Sequence, residues 1–254
     1  MTERIALVTG ATSGIGEAVS KSLAKVGFNL IITGRRSEKL LKLSEHLSTS
    51  YKVNVLPLNF DVREHDEVET HLGNLPEQWK KIDLLINNAG LAVGLNTLDQ
   101  GVVDDWERMI DTNIKGLLYV SRIVSNLMKD SGRGHIINIG SIAGKSVYPN
   151  GNVYCATKYA VDALSKGMLM DLVQYNIKVS QICPGAVDTE FSLVRFKGDK
   201  ERADNVYKGF EALSAQDIAD AIMFIVSAPP HVNISDMVIM PAAQASPTQI
   251  IKKN

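Results

Sequence analysis

The chain has 254 residues, of which 45% are hydrophobic, and its 27 basic and 28 acidic side chains leave a net charge of −1. This balance argues against nucleic acid or an anionic membrane as a partner. Apolar runs are no longer than strands, so we expect no transmembrane helix. The first strand begins too close to the N-terminus for a signal peptide, and we therefore expect a cytoplasmic protein.

The first element is an apolar strand, residues 5–8, that runs into the turn TGATSGIG at residues 9–16. Apolar side chains at helical spacing follow as far as Gly27. A strand, a glycine turn and a helix in this order predict a dinucleotide site, because glycines let the backbone approach a pyrophosphate. Free N–H groups at the start of the helix then face the phosphates. The alternative is a loop that is only rich in small residues.

The second strand, residues 29–33, is followed by Gly34 and the pair Arg35 and Arg36. Sites that bind the ribose 2′-hydroxyl of NAD place an acidic residue near this position. Two guanidinium groups suit a 2′-phosphate instead, so the pattern favours NADP(H) over NAD(H). The alternative is a pair of solvated arginines at the end of a strand.

The rest of the chain alternates between strands and helices. This alternation predicts a Rossmann-type α/β fold, a doubly wound parallel sheet with helices on both faces, in a single domain of residues 1–254. Ligands are then expected at the carboxyl ends of the strands. Further strands are predicted at residues 53–58, 82–86, 134–139, 177–183 and 237–240, and helices at 66–79, 103–128, 153–175 and 215–227.

Tyr154 and Lys158 lie one helical turn apart and therefore on the same face of a helix. A free phenol has a pKa near 10, too high for a base at neutral pH, and a neighbouring cation lowers it. Such a tyrosine exchanges a proton with a carbonyl or alcohol oxygen, with Ser141 as a second hydrogen-bond donor. Taken alone, the Y-x-x-x-K spacing also describes an exposed helix with a solvated lysine.

Together these residues resemble the short-chain dehydrogenase/reductase family along almost the whole chain. The matching motifs are T-G-x-x-x-G-x-G at residues 9–16, Asp61-Val62, Asn87-Asn88-Ala89-Gly90, Asn113, the trio Ser141, Tyr154 and Lys158, and P-G-x-x-x-T at residues 184–189. The resemblance implies that Asn113, Ser141, Tyr154 and Lys158 are the catalytic residues, with Asn113 positioning a water that leads to Lys158. It also implies a homotetramer, or a homodimer, in which helices 103–128 and 153–175 pack across subunits.

The motifs and the resemblance together predict the cofactor site and the substrate site. The expected cofactor-binding residues are Gly10, Thr12, Ser13, Gly14, Ile15, Gly16, Arg35, Arg36, Asp61, Val62, Asn88, Ala89, Gly90, Tyr154, Lys158, Pro184, Gly185, Val187 and Thr189. The expected substrate residues are Ser141, Tyr148, Asn152 and Arg195, and residues 190–210 are expected to form a substrate lid. Arg195 suits a substrate carboxylate, although a solvated arginine on a mobile loop is the simpler interpretation.

The chain is similar in detail to the NADP-dependent 3-hydroxy acid dehydrogenases that act on serine or allo-threonine and reduce malonic semialdehyde. The similarity is carried by residues 33–36, 151–154, 194–199 and 231–234. No glycine follows Gly209, which argues against the 3-oxoacyl-carrier-protein reductases. Two alternatives stay open: a carbonyl or aldehyde reductase with another substrate, and a cofactor-binding sensor that has lost the chemistry.

The two cysteines, Cys155 and Cys183, are too few for a disulfide framework in a cytoplasmic protein. Cys155 follows Tyr154 and Cys183 precedes Pro184, which would place both near the site, but two small, partly buried thiols are the favoured interpretation. The five histidines are scattered, so no metal site is expected.

Overall fold

The predicted apolar runs form the strands of a parallel sheet in the computed structural model, which describes residues 4–253. The apolar side chains of the inner strands are buried on both faces of the sheet, as is usual where helices cover both sides, whereas those of the two edge strands are partly exposed. In chain order the strands are β1 (Arg4–Val8), β2 (Phe28–Thr33), β3 (Val55–Leu58), β4 (Ile82–Asn87), β5 (Gly134–Ile139), β6 (Ile177–Pro184), β7 (Val187–Asp188), β8 (Leu213–Ser214) and β9 (Asp236–Ile239).

Seven of these strands form the main sheet, in the order β3-β2-β1-β4-β5-β6-β9, while β7 and β8 pair separately. The chain winds outwards from β1 in both directions, and the strand order reverses between β1 and β4. The predicted doubly wound α/β fold is therefore confirmed. Residues 1–3 and 254 of the predicted domain 1–254 lie outside the described part of the chain.

Helices cover both faces of the main sheet and bury two apolar cores against it. One core includes Val19, Leu47 and Ile222, and the other includes Val68 and Val124. The helices are α1 (Gly14–Lys25), α2 (Ser37–Tyr51), α3 (His65–Gly73), α4 (Val103–Ile110), α5 (Leu117–Ser131), α6 (Asn152–Leu172), α7 (Glu190–Arg195), α8 (Lys200–Tyr207) and α9 (Ala215–Ser227). Among the helices of residues 4–253, none combines the length and the hydropathy of a membrane span.

Two predicted helices differ from the structure. The helix expected at 66–79 ends at Gly73, and a separate 3-10 turn, Glu77–Trp79, follows Pro76. Proline disfavours helical backbone in the residue before it, which explains the break. The helix expected at 103–128 contains a π-helical segment, Asp111–Gly116, between α4 and α5. The helices α2, α7 and α8 are not among those predicted.

A buried histidine in β5 makes folding sensitive to pH. His135 is 7% exposed, and its Nε2 lies 2.8 Å from Ser180 Oγ. Burial, helped by the charge of Lys178, lowers the pKa of His135 to about 3. The unfolded chain, with a histidine pKa near 6.5, binds more protons below that pH than the folded chain does. The contribution of His135 to the free energy of unfolding is therefore fully present above about pH 6.5, and it is lost as the pH drops towards 3.

We expect the free energy of unfolding to fall by about 2 kcal/mol between pH 7 and pH 5 because of this residue alone. Urea unfolding of the wild type and of His135→Gln at both pH values measures the difference. The exposed His231 provides the matched control, and His231→Gln should keep the wild-type pH dependence. Equal pH dependence of His135→Gln and the wild type would show that His135 is not the group responsible.

Candidate active site

One cavity of about 600 Å³ lies where the main sheet's strands end. The segments that follow β1, β2, β4, β5 and β6 all contribute to its wall. The structure thus brings together most of the residues that the sequence assigns to cofactor and substrate. Of the predicted residues, those lining the cavity are Gly10, Thr12, Ser13, Gly14, Ile15, Arg35, Arg36, Asp61, Val62, Asn88, Ala89, Gly90, Ser141, Tyr148, Tyr154, Lys158, Pro184, Gly185, Val187, Thr189 and Arg195.

Three predicted site residues do not line this cavity. Gly16 is buried beneath the glycine turn, where a Cβ would stand 2.5 Å from Gly10 O. Asn113 lies behind the cavity and is 2% exposed. Asn152 is exposed at the start of α6, and its Nδ2 donates to Asn96 O at 3.4 Å. Its predicted contact with substrate has no support in this arrangement, because Asn152 lies outside the main cavity.

The glycine turn is held against β4 by side-chain hydrogen bonds. Asn88 Nδ2 donates to Thr9 O at 2.9 Å and to Gly10 O at 3.0 Å. Thr9 Oγ1 in return accepts from the backbone N–H groups of Asn88 and Ala89, both at 3.0 Å. Gly10 has φ +64°, a conformation that side chains disfavour, and this allows the sharp turn. These bonds fix the shape of the turn, so Asn88 has a structural role as well as a place in the wall.

The N-terminus of α1 is open towards the cavity. Ser13 precedes the helix in extended conformation, but its side chain makes no capping hydrogen bond. The N–H groups at this end therefore have no side-chain partner in the chain's own cap, and a helix N-terminus attracts phosphate. With the cavity wall and the nearby guanidinium groups, these donors fit a dinucleotide.

The two arginines after β2 have different partners. Arg35 Nη1 lies 3.5 Å from Asp61 Oδ2, while Arg36 bonds to the glycine turn through Thr12 Oγ1, at 3.2 Å from Nε. Asp61 also accepts from Arg63 at 2.7 Å. Partial burial raises the pKa of Asp61, but the bonds from Arg63 and the charge of Arg35 outweigh it and leave this pKa lowered. No acidic side chain of the described residues at the end of β2 occupies the position expected for recognition of a 2′-hydroxyl.

The predicted catalytic trio comes from two elements that follow one another in the chain. Ser141 follows β5, and its Oγ accepts from Ala143 N at 3.0 Å. Tyr154 and Lys158 lie on α6 and are 8% and 6% exposed. Lys158 Nζ donates to Ile139 O at 2.8 Å and lies 6.0 Å from the centre of the Tyr154 ring. A serine hydroxyl, a phenol and an ammonium group thus share one buried wall.

The charges around Tyr154 differ from the expectation that Lys158 alone lowers its pKa. Burial raises the pKa of the Tyr154 phenol well above its ordinary value, and the opposing effects of Arg195 and Ser141 offset only part of this rise, so the expected lowering of the pKa is not found in the free chain. Arg195 is closer, with Cζ 5.3 Å from the Tyr154 ring centre. Burial also lowers the pKa of Lys158 to about 8, because the ammonium group is taken out of water. The guanidinium of Arg195 therefore adds to the cationic surroundings of the phenol.

Asn113 lies in the π-helical segment that the sequence does not predict. Its Nδ2 donates to Leu91 O at 2.8 Å and to Thr157 Oγ1 at 2.9 Å, and its Oδ1 accepts from Leu91 N at 2.7 Å. These bonds tie α6 to the segment after β4. Single π-helical turns are often found at functional sites. The predicted role of Asn113 in holding a water near Lys158 stays a prediction.

The end of the cavity beyond Tyr154 contains residues that sequence reasoning missed. Arg195 Nη2 donates to the Tyr148 hydroxyl, while Arg195 Nε is buried without a partner among the described residues. Gln244 Oε1 accepts from Ala186 N at 2.8 Å and so fixes the loop after β6. No motif identifies these positions, because they come from the last segments of the chain. Phe191, Val206 and Tyr207 at this end belong to the predicted lid, residues 190–210, whereas Gln244, Pro247 and Ile250 are not predicted from the sequence.

Both cysteines are free and buried, in agreement with the prediction, and neither lines the cavity. Burial raises the pKa of the Cys155 thiol, and it raises that of Cys183 to about 12. Such thiols are poor nucleophiles at neutral pH. Within residues 4–253, no group of three or more histidine, cysteine or acidic side chains is arranged to hold a metal ion.

Comparison with known proteins identifies several similar chains. An NADP-dependent 3-hydroxy acid dehydrogenase of Salmonella typhi is 46% identical over 242 residues, covering 95% of this chain and 96% of that protein. A protein of the same description from Schizosaccharomyces pombe is 38% identical over 248 residues, covering 97% and 96%. A solved structure, the closed form of serine dehydrogenase complexed with NADP+, matches with a TM-score of 0.92 and 42% identity, over 98% of this chain and all of that one.

The family prediction from the motifs is confirmed by these likenesses and by a match to the family's sequence profile. That profile, described as short chain dehydrogenase, matches residues 4–199. The matched range includes the glycine turn, the trio Ser141, Tyr154 and Lys158, and the loop after β6. The chain belongs to the short-chain dehydrogenase family.

Proposed function

We propose that this chain is an NADP(H)-dependent oxidoreductase that interconverts a short 3-hydroxy acid and the corresponding semialdehyde or ketone. The observation that carries the proposal is the position of Arg195, a cation beside the Tyr154 phenol in the cavity that contains the glycine turn. Similarity to the 3-hydroxy acid dehydrogenases and to the serine dehydrogenase complex supports the same substrate class and cofactor.

The residues of the wall divide between holding the cofactor and carrying out proton transfer. The glycine turn and the N-terminus of α1 would hold the pyrophosphate, while Arg35 and Arg36 would hold a 2′-phosphate. When bound, NADPH supplies a hydride to the carbonyl carbon of the substrate. Lys158 stays fixed on Ile139 O, and Arg195 is the cation whose charge favours the phenolate form of Tyr154 against the effect of burial.

Tyr154 and Ser141 act on the oxygen at which charge develops. During reduction, the Tyr154 hydroxyl donates its proton to the carbonyl oxygen, and during oxidation the phenolate removes it from the alcohol. Ser141 donates a second hydrogen bond to the same oxygen, where it stabilises the negative charge of the transition state. Tyr154 is buried and Ser141 is half-buried, and the low exposure of the phenol strengthens its interaction with the oxygen.

The direct test is a comparison of initial rates, followed through the absorbance of reduced nicotinamide. NADPH and NADH are compared with malonic semialdehyde and with neutral aldehydes and ketones, while serine and 3-hydroxypropionate are tested in oxidation. We expect a strong preference for NADPH and for carboxylated compounds. Turnover of neutral carbonyls alone would favour the alternative, a carbonyl or aldehyde reductase, and no turnover at all would favour a sensor.

Arg195→Ala tests the substrate class. A hydrogen bond to a charged group is worth about 1.5–3 kcal/mol, so the KM for carboxylated substrates should rise at least about 10-fold. The KM for neutral aldehydes should change much less, although kcat falls for both classes because a cation beside Tyr154 is lost. Steady-state kinetics with the two substrate classes separate these effects.

Arg202→Ala is the matched control for this experiment. Arg202 lies on α8, outside the cavity wall, with its Cζ 4.6 Å from the centre of the Phe196 ring. It removes the same charge from the same region, and both KM values should stay as in the wild type. An equal rise of KM for carboxylated and neutral substrates in Arg195→Ala would remove Arg195 from the carboxylate site.

We further propose that residues 190–210 act as the lid of the substrate end. This segment contributes α7, α8 and several wall residues, including Phe191 and Tyr207. The loop between α7 and α8 is held by an ion pair, because Lys197 Nζ lies 2.8 Å from the buried carboxylate of Asp105. Protection of this segment from limited proteolysis by a bound nucleotide and substrate would be expected of a lid.

We propose that the chain assembles as a homotetramer, or as a homodimer, because its helices expose apolar side chains that a subunit interface would bury. Leu118 of α5 is 38% exposed, and Tyr159 and Met170 of α6 are 42% and 76% exposed. Light scattering after size-exclusion chromatography should give the mass of several chains rather than of one. A cytoplasmic location is proposed because both cysteines are free, and cell fractionation tests it.

A further inference from the structure

The cations of the proposed phosphate site form ion pairs with a carboxylate of the chain itself. Glu190, the first residue of α7, pairs with Arg36 and with Lys39 of α2. Arg36 Nη1 lies 2.6 Å from Glu190 Oε2, and Lys39 Nζ lies 2.8 Å from Glu190 Oε1. Each oxygen of the carboxylate therefore has its own cation.

Each of the three nitrogens of the Arg36 guanidinium group has a hydrogen-bond partner within the chain. Besides the bond to Glu190, its Nη2 donates to Thr12 Oγ1 at 3.1 Å and to Ser13 Oγ at 2.6 Å. Its Nε also donates to Thr12 Oγ1. The three nitrogens thus connect the glycine turn to α7 across one edge of the cavity. An anion that binds Arg36 at Nη1 therefore competes with Glu190.

Glu190 differs from the other acidic residue at this edge of the cavity. Asp61 is bonded to Arg63 and lies 3.5 Å from Arg35, so it makes no contact with Arg36. Hydrogen bonds from Lys39 and Arg36 lower the pKa of Glu190 to about 2, which keeps the carboxylate charged at neutral pH. Arg36, Glu190 and Lys39 are 43%, 45% and 49% exposed, respectively, so each ion pair is weak enough to exchange.

We propose that Glu190 is an internal anion that competes with the 2′-phosphate of a bound nucleotide for Arg36 and Lys39, so that it lowers the affinity for NADP+ and, with it, the preference for NADP+ over NAD+. This inference rests on the proposed NADP dependence. A phosphate brings up to two negative charges and three acceptor oxygens, so it replaces a carboxylate between two cations, whereas a 2′-hydroxyl does not. The displaced carboxylate stays close by and repels the phosphate. Glu190 therefore limits how tightly NADP+ binds.

Equilibrium binding to the whole chain tests this inference without relying on activity. Isothermal titration calorimetry is used with NADP+, NAD+ and the fragment 2′,5′-ADP, on the wild type and on Glu190→Gln. At low salt, Glu190→Gln should bind NADP+ and 2′,5′-ADP about 3- to 10-fold more tightly, which corresponds to losing two exposed charge interactions. Binding of NAD+ should change less than about twofold, and about 0.5 M salt should reduce the gain through screening.

Glu211→Gln is the matched control, because Glu211 is an exposed acid outside both the cavity wall and the proposed lid, and this variant should bind all three ligands as the wild type does. Unchanged or weaker binding of 2′,5′-ADP to Glu190→Gln would overturn the role of Glu190. If the wild type itself binds NADP+ and NAD+ equally well, the proposed NADP dependence fails. A wild type that prefers NADP+ beside an unaffected Glu190→Gln removes only the inference about Glu190.

Discussion

Tyr154→Phe is expected to lower kcat at least about 100-fold, the size typical of losing a general acid or base. The substitution removes only the hydroxyl, and the ring keeps its packing against Phe191, whose ring centre lies 5.9 Å away. Thermal stability and NADP+ affinity should therefore stay close to those of the wild type. Steady-state kinetics, calorimetric binding and thermal unfolding on the same preparation separate lost chemistry from lost structure.

Tyr51→Phe is the control for this loss, since it removes the same atom from α2, far from the cavity wall. Its kcat should equal that of the wild type. Near-normal turnover by Tyr154→Phe would mean that another group transfers the proton. Ser141, which lines the same cavity, would then be the next residue to substitute.

Gly16→Ala is expected to weaken NADP+ binding at least about 100-fold and to destabilise the fold by about 1–3 kcal/mol. A Cβ at this position would stand 2.4 Å from Asn88 Nδ2 and 2.5 Å from Gly10 O. Gly10 O belongs to the backbone of the turn, so the clash is relieved only if the turn moves. That movement misdirects the N–H groups at the start of α1, and each hydrogen bond to a charged group is worth about 1.5–3 kcal/mol.

Gly73→Ala provides the comparison, because a Cβ at the end of α3 would meet no heavy atom within 4 Å. It should be neutral or stabilise the chain by up to about 1 kcal/mol, as expected for alanine in a helix. Urea unfolding gives the stability of both variants, and calorimetric titration gives their NADP+ affinity. Wild-type affinity in Gly16→Ala would show that the turn is not the pyrophosphate site.

The two experiments address different parts of one cavity. Tyr154→Phe removes the hydroxyl that exchanges a proton with the substrate and leaves the glycine turn intact. Gly16→Ala disturbs the glycine turn and leaves the phenol in place. If both variants lose turnover but only Gly16→Ala loses NADP+ affinity, the results support the assignment of Tyr154 to proton transfer and of the glycine turn to cofactor binding.

The amino-acid sequence by itself determined the fold class and the principal chemical groups. Strands buried on both faces are continuous apolar runs, so the seven strands of the main sheet are recognisable from residue type alone. The glycine turn, Ser141, Tyr154 and Lys158 are recognisable for a related reason. Each depends on residue type at fixed local spacing, and local spacing can be read directly along the chain.

Only the tertiary structure decided which distant segments meet. Arg36 and Glu190 are 154 residues apart in the chain, and Ala186 meets Gln244 across 58 residues. Packing of α7 and of the C-terminal segment over the cavity makes these contacts, and no periodicity encodes them. The same holds for the electrostatics of Tyr154. Burial and the approach of Arg195 set its pKa, and both are properties of the packed chain rather than of the Y-x-x-x-K spacing.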